Sequence, residues 1–314
     1  MNIFCNNKKN HHYISQVEQR LNSVDDNSKK IYKFRKINGG FVESIGSNPV
    51  NIEKNLSFHN LFTFSYADNE KNYNFEDLFC RYENKIRYFT EKFEIKITNE
   101  DDSANEEIIN IFICKFMSMI RNPYSVKLAI DMFSPLILDE NIPKGGDFDI
   151  INDKIKNLTN NKKEEICNTF NFSEEDYKKW LMIIFSLFGR HDQENRRTPI
   201  EELAKQELFD IHKTIVKIDV YNYDDERCLI SDKGYCEFGV REGFNLTFNI
   251  YKKCFASFTF ISGNGETVDE RESYFDVHKN VVDVLEKYNS ACIKQSHEHV
   301  FCSSDQFLYS QEAL

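Results

Sequence analysis

The sequence predicts an α+β fold: a central helical cluster with mainly antiparallel strands drawn from the N-terminal and C-terminal segments. Three observations carry this expectation. Residues 1–73 read as short extended segments punctuated by turns, residues 74–213 change to helical spacing with clear start signals, and residues 214–314 return to strand patterns. Elements grouped by type in this way argue against a regular βαβ alternation. The chain of 314 residues is long enough to bury a large core and is read as one domain. With 28 Phe and 15 Tyr it is expected to fold despite a mean hydropathy of -0.57, because aromatic side chains bury large areas.

Each element has its own signal. Ile31-Tyr32-Lys33-Phe34-Arg35 alternates apolar and basic residues, and Asn38-Gly39-Gly40 is a turn leading to Phe41-Val42, so a hairpin is expected. Asn74 is placed to cap a helix that carries Glu76 and Asp77 in its first turn. Phe75, Leu78, Phe79, Tyr82, Ile86 and Phe89 give that helix one apolar face, to about Phe93. Ser103 and Glu106 form a capping-box pattern before the stripe Ile109, Phe112, Ile113, Phe116 and Ile120, which leaves Arg121 at the helix end.

A short helix is expected after Pro123, to about Phe133, and a loop at Lys144-Gly145-Gly146-Asp147. Two further helices start at Ser173 with Asp176 and at Thr198-Pro199-Ile200-Glu201. The first of them runs through Trp180 to Phe188, apolar on nearly every side, and is expected to be deeply buried until Gly189 ends it. Strands are expected at 214–220, 227–231, 244–250 and 255–261, a last helix at 277–288, and a closing strand at Val300-Phe301-Cys302.

Bulk chemistry narrows the function. No apolar run approaches the roughly 18 residues of a membrane span, and Lys and Asn occupy the place of a signal peptide's apolar segment, so the expected location is the cytoplasm, with no membrane partner. Nine cysteines, scattered and without a Cys-x-x-Cys pair, read as free buried thiols. A net charge of -11 argues against non-specific coating of nucleic acid, so RNA or DNA would have to meet a local patch.

His11-His12-Tyr13-x-x-Gln16, the strand Lys30-Ile31-Tyr32-Lys33-Phe34, Leu61-Phe62-Thr63-Phe64, Phe79 with Glu83, Arg121-Asn122-Pro123 and Leu229-Ile230-Ser231-Asp232 occur in this order. In this the chain resembles a broad prokaryotic family known mainly as a domain of unknown function. Two places depart from the family pattern. Val17-Glu18-Gln19 follows Gln16 where aromatic and Leu residues are usual, and Asp232-Lys233-Gly234 replaces Asp-x-Pro.

The resemblance and the residue types imply a nucleic-acid-directed phosphodiester hydrolase or toxin-like effector in prokaryotic defence. The expected catalytic set is His12, Gln16, Glu83, Arg121 and Asp232. His12 and Gln16 can orient water or a scissile phosphate and move a proton, Arg121 can neutralise a developing oxyanion, and Glu83 with Asp232 can hold Mg²⁺ or Mn²⁺ or activate water. The alternative is a non-catalytic protein-interaction or regulatory module, in which the same side chains hydrogen-bond backbone, cap turns and complement a helix end.

Other patterns are weaker. Arg271 and His278 match an Arg-x(4 to 6)-His ribonuclease spacing that is common by chance. His297-Glu298-His299 with Cys302 offers metal ligands without a second cluster. The basic run Lys29, Lys30, Lys33, Arg35 and Lys36 reads either as a protected edge strand or as a phosphate-contacting one. The charged loop at 190–197 is solvated or a partner contact. Gly263-Asn264-Gly265 lacks the features of a nucleotide loop.

Overall fold

The computed structural model describes residues 9–24, 29–37, 41–66, 72–137, 147–159, 162–189, 198–209, 214–241, 243–262 and 274–310, and has the α+β architecture. The turn at 38–40, residues 144–146, the loop at 190–197, Gly263-Asn264-Gly265 and Arg271 lie outside the described residues. The chain gathers into two compact units. The first comprises Met1–Tyr13, Ser57–Tyr82 and Ile120–Glu202, and the second Ile14–Leu56, Glu83–Met119 and Leu203–Leu314.

The first unit is built around the helix Glu174–Phe188. Ser173 caps it through the expected reciprocal bonds with Asp176, and Gly189 ends it. Every residue from Trp180 to Phe188 is buried, as the all-round apolar pattern requires. The Trp180 ring lies 5.5 Å from Phe62, which meets Phe79 at 5.0 Å. The polar atoms of this aromatic core are satisfied: Trp180 Nε1 donates to the Ile120 carbonyl at 2.7 Å and the Tyr177 hydroxyl to the Leu61 carbonyl at 2.8 Å. Small strands complete the unit. Asn10–His12 pairs antiparallel with Ser57–His59, and Thr63–Tyr66 lies between Asn72–Asn74 and Leu158–Thr159.

The second unit contains two sheets. In the first, Lys30–Ile37 lies between His299–Cys302 and Phe41–Ser44, with Val50–Asn51 also on it and Ile230–Ser231 on the far side of His299–Cys302. In the second, Phe244–Tyr251, Cys254–Ser262 and Thr214–Asn222 run antiparallel, and Tyr274–Lys279 adds in parallel. Helix Val282–Gln295 shares a core with Phe34, Val300 and Cys302 of the first sheet. Its Tyr288 ring stacks on Phe255 at 4.0 Å and its hydroxyl donates to the Leu229 carbonyl at 2.9 Å. Phe112 of helix Asn105–Ile120 packs on Phe258 and Phe260 of the second sheet at 4.7 and 5.2 Å.

Several boundaries differ from expectation, each for a local reason. The helix capped by Asn74 runs from Glu76 to Thr98 rather than to Phe93, because Ile97 continues the buried face one turn beyond Phe93. Asp101, not Ser103, supplies the side-chain oxygen before Asn105–Ile120, taking the Ser103 amide. Val277 lies in a strand, and the last helix begins only at Val282. Of 227–231 only Ile230–Ser231 is strand: the Cys228 amide donates to the Lys252 carbonyl and the Leu229 amide to Asn289 Oδ1, so neither enters a ladder. No helix among the described residues is long and apolar enough to cross a membrane.

Candidate functional site

Asp232 follows the short strand Ile230–Ser231, whose partner is Val300-Phe301. Its amide donates to the His299 carbonyl at 3.0 Å, and the Gly234 amide closes the turn on the Ser231 carbonyl at 2.9 Å. Gly234 has a φ of +80°, and a Cβ there would stand 2.7 Å from Ile14 Cδ1. Glycine therefore fits this turn for its conformation, and a larger residue would in addition have to displace the end of the Ile14 side chain. The turn aims the carboxylate of Asp232, which is 1% exposed, at the chain entering the closing strand. Oδ1 accepts the His297 amide at 2.8 Å, and Oδ2 accepts the amides of Glu298 and His299 at 2.7 and 2.8 Å. Three successive amides thus converge on one acid, an anion nest filled by the protein's own side chain.

Next to this clip lies a polar face of the five-stranded sheet. The register places Arg35 opposite His299 and Lys33 opposite Phe301, so all four project from one side. Lys33 Nζ sits 5.9 Å from the centre of the Phe301 ring. Burial pushes the Lys33 ammonium below its ordinary range, with Glu298 opposing. Burial, followed by the charge of Lys33, pushes the His299 imidazole below its ordinary value, again against Glu298 and Asp232. Arg35 pairs with Glu43 at 3.7 Å. Lys36, on the same strand, is engaged elsewhere: its ammonium donates to the carbonyls of Lys294 and Ser296 at the C-terminus of Val282–Gln295, where a cation is favoured.

The His-His-Tyr-x-x-Gln segment is divided between the units, with His11 to Tyr13 in the first and Ile14 onward in the second. His11 Nδ1 accepts the Phe62 amide at 2.9 Å, which places any ring proton of neutral His11 on Nε2, and the imidazole stacks on Phe62 at 5.6 Å. His12 is buried on the strand paired with Ser57–His59. Gln16 begins the helix Gln16–Leu21 and accepts from Arg20 Nη2 at 2.7 Å.

The polar centre of this segment is Glu18, which sequence reasoning passed over although Ser15-Gln16-Val17-Glu18 is a capping box. Its Oε1 accepts from Lys115 Nζ at 2.9 Å, and its Oε2 from Ser118 Oγ at 2.9 Å and Ser15 Oγ at 3.0 Å. Beside it Gln19 donates to the carbonyls of Ile14 and Asn55, and Asn22 donates to Asn249 Oδ1 at 2.7 Å.

Arg121, 2% exposed, lies in the first unit with its guanidinium carbon 4.8 Å from the centre of the Phe79 ring. Asn122 caps the turn Pro123–Ser125 by accepting the Tyr124 amide. Glu83 is half-buried on Glu76–Thr98, within the second unit. The five expected site residues therefore divide as His12 and Arg121 in one unit and Gln16, Glu83 and Asp232 in the other. His278 bonds Asp219 at 3.1 Å and stacks on Tyr221 at 4.6 Å. Among the described residues no three His, Cys, Asp or Glu side chains gather in the manner of a metal site.

A cleft of about 720 Å³ opens in the second unit between Ile97, Glu100 and Asp101 on one side and Phe275, Asp276 and Lys279 on the other. Three of its charges are engaged: Lys279 bonds Glu100 at 2.6 Å and holds that carboxyl below its usual range, and Ser103 does the same for Asp101. Comparison of the chain with family models, with characterised proteins and with solved structures gives no match.

Proposed function

We propose that the chain is a non-catalytic interaction or regulatory module whose polar motifs build the fold, the second of the two readings drawn from the sequence. One observation carries this reading: Asp232 accepts three backbone amides with both carboxylate oxygens, which suits a structural clip better than a metal ligand or a general base. Glu18 repeats the pattern, with its oxygens directed to Lys115, Ser118 and Ser15. With a net charge of -11, such a module meets a polyanion only at a local patch.

A second reading, the Mg²⁺- or Mn²⁺-dependent phosphodiester hydrolase acting as a toxin-like effector in prokaryotic defence, is favoured by Lys33 beside His299. A neutral imidazole next to a cation suits proton transfer at a phosphate. In that reading the metal leans on Glu83, because Asp232 is already engaged. Incubating the purified chain with RNA and with DNA, each with and without Mg²⁺ or Mn²⁺, separates the two. The module reading predicts no cleavage under any condition. Cleavage abolished by Arg121→Ala, in a variant that keeps its melting temperature, would establish the hydrolase instead.

A further inference from the structure

We propose that Lys33, Arg35 and His299 form a binding site for a phosphoryl group, supplied either by a nucleic-acid backbone or by a free phosphate. The inference adds a ligand to the module reading but concerns binding alone, so it stands or falls separately from the question of cleavage.

Placement comes first. Lys33 and Arg35 are two residues apart on one strand and so share a face, and the ladder sets His299 directly opposite Arg35 and diagonal to Lys33. Directly opposite residues have Cβ atoms about 5 Å apart and diagonal ones about 7 Å, so three long or ring-bearing side chains can converge on one tetrahedral anion. Such a set combines a forked guanidinium, a point charge and an imidazole, the donor types that phosphate oxygens accept well.

Vacant bonding capacity comes second. Lys33 is half-buried, yet its ammonium makes no hydrogen bond or ion pair with any described residue; its close neighbour is the Phe301 ring. A partly desolvated cation that forms no hydrogen bond or ion pair, with Glu298 and Asp232 acting on it only through space, gains more from an incoming anion than a solvated one does. The His299 side chain is 15% exposed, so it is reachable from solvent although shielded. Three acids compete. Glu43 stands 3.7 Å from Arg35 and Glu298 3.5 Å from His299, but both are 53% exposed, and such loose, solvent-screened contacts yield readily to a phosphoryl anion; Asp232, whose charge also acts on Lys33 and His299, is held by three backbone amides.

The groups around His299 set the pH dependence. They are Lys33 and Arg35 from the neighbouring strand, Glu298 beside it and Asp232 from the turn. An anion bound beside His299 offsets the cations and favours the imidazolium, so it raises the pH at which His299 titrates.

The test follows the His299 imidazole by two-dimensional NMR through a pH titration of the full chain. Three ligands are compared: inorganic phosphate, adenosine 5′-monophosphate, and a short RNA without terminal phosphates. The expected result is an upward shift of the His299 titration by about half a unit or more, and a loss of phosphate affinity of about tenfold in Lys33→Gln that Lys33→Arg restores. Response to the RNA assigns the site to a nucleic-acid backbone; response to the two small ligands alone assigns it to a free phosphate. An unmoved His299 titration with all three ligands overturns the proposal, and so does wild-type phosphate affinity in Lys33→Gln. The unmodified chain decides the matter even if a variant fails to fold.

Discussion

The Lys115 ammonium lies 2.9 Å from Glu18 Oε1, and the two side chains are 1% and 2% exposed. Helix Gln16–Leu21 is thereby tied to helix Asn105–Ile120 by a charge pair sealed from water. The pair is not simply an attraction in a low-dielectric medium, since each ion loses its hydration; Ser15 and Ser118 also donate to the carboxylate.

Removing one partner should therefore hurt far more than removing both. Glu18→Ala leaves a buried ammonium uncompensated and is expected to lower stability by about 3–5 kcal/mol. The double variant Glu18→Leu with Lys115→Met should recover most of that loss. Urea denaturation of Glu18→Ala, of Lys115→Met and of the double variant checks this, and equal losses in all three would contradict it.

His299 gives the pH dependence of stability. Its folded-state affinity for protons is depressed by burial and Lys33, so the unfolded chain takes up a proton first as pH falls. Stability is therefore unaffected by this group above its ordinary titration near pH ~6.5 and declines as pH drops from there toward the lower folded value. Replacing His299 by Gln should flatten that part of the stability curve, measured by denaturation at a series of pH values. An unchanged slope would show that other groups control it.

The thiols give a chemical check on the core. Cys114, Cys167, Cys228, Cys236, Cys254, Cys292 and Cys302 are buried thiols, and the Cys80 thiol is half-buried. Burial pushes Cys228, Cys236 and Cys254 well above the ordinary thiol range and Cys302 up to about 11. Because the thiolate is the reactive form, an aromatic disulfide reagent at neutral pH should label these seven slowly and show all nine cysteines only after denaturation. Fast labelling of Cys228 or Cys254 in the native chain would mean that this core opens readily.

Much of the fold is legible in local chemistry. The capping box at Ser173 and the hairpin strands around 31–42 are written in a few adjacent residues, and the structure follows them. The failures come where tertiary pairing decides. Val277, Val281 and Leu285 recur at helical spacing, yet Tyr274–Lys279 is held as a strand by its parallel ladder with Thr214–Asn222, and Asn280, with a φ of 56°, separates it from the helix.

The candidate site was legible in residue types more than in roles. Asp232 stands out in sequence, but only the fold reveals that His297, Glu298 and His299 turn their amides toward it across 65 residues or more. Glu18 was hidden by its neighbours. A six-residue helix offers too short a run for periodicity, and Lys115, its partner, is remote in sequence. Lys33 was visible as part of a basic run, whereas its separation in role from Lys36 required the register.

The central claim, that these acids serve the fold, is tested most directly by Asp232→Ala, measured for melting temperature and for Mg²⁺- or Mn²⁺-dependent cleavage of RNA and DNA beside the unmodified chain. Losing three charge-assisted bonds is expected to cost about 3 kcal/mol or more and to lower the melting temperature by several degrees, with no cleavage by either protein. A variant that melts like the unmodified chain but has lost a metal-dependent cleavage activity would contradict the account.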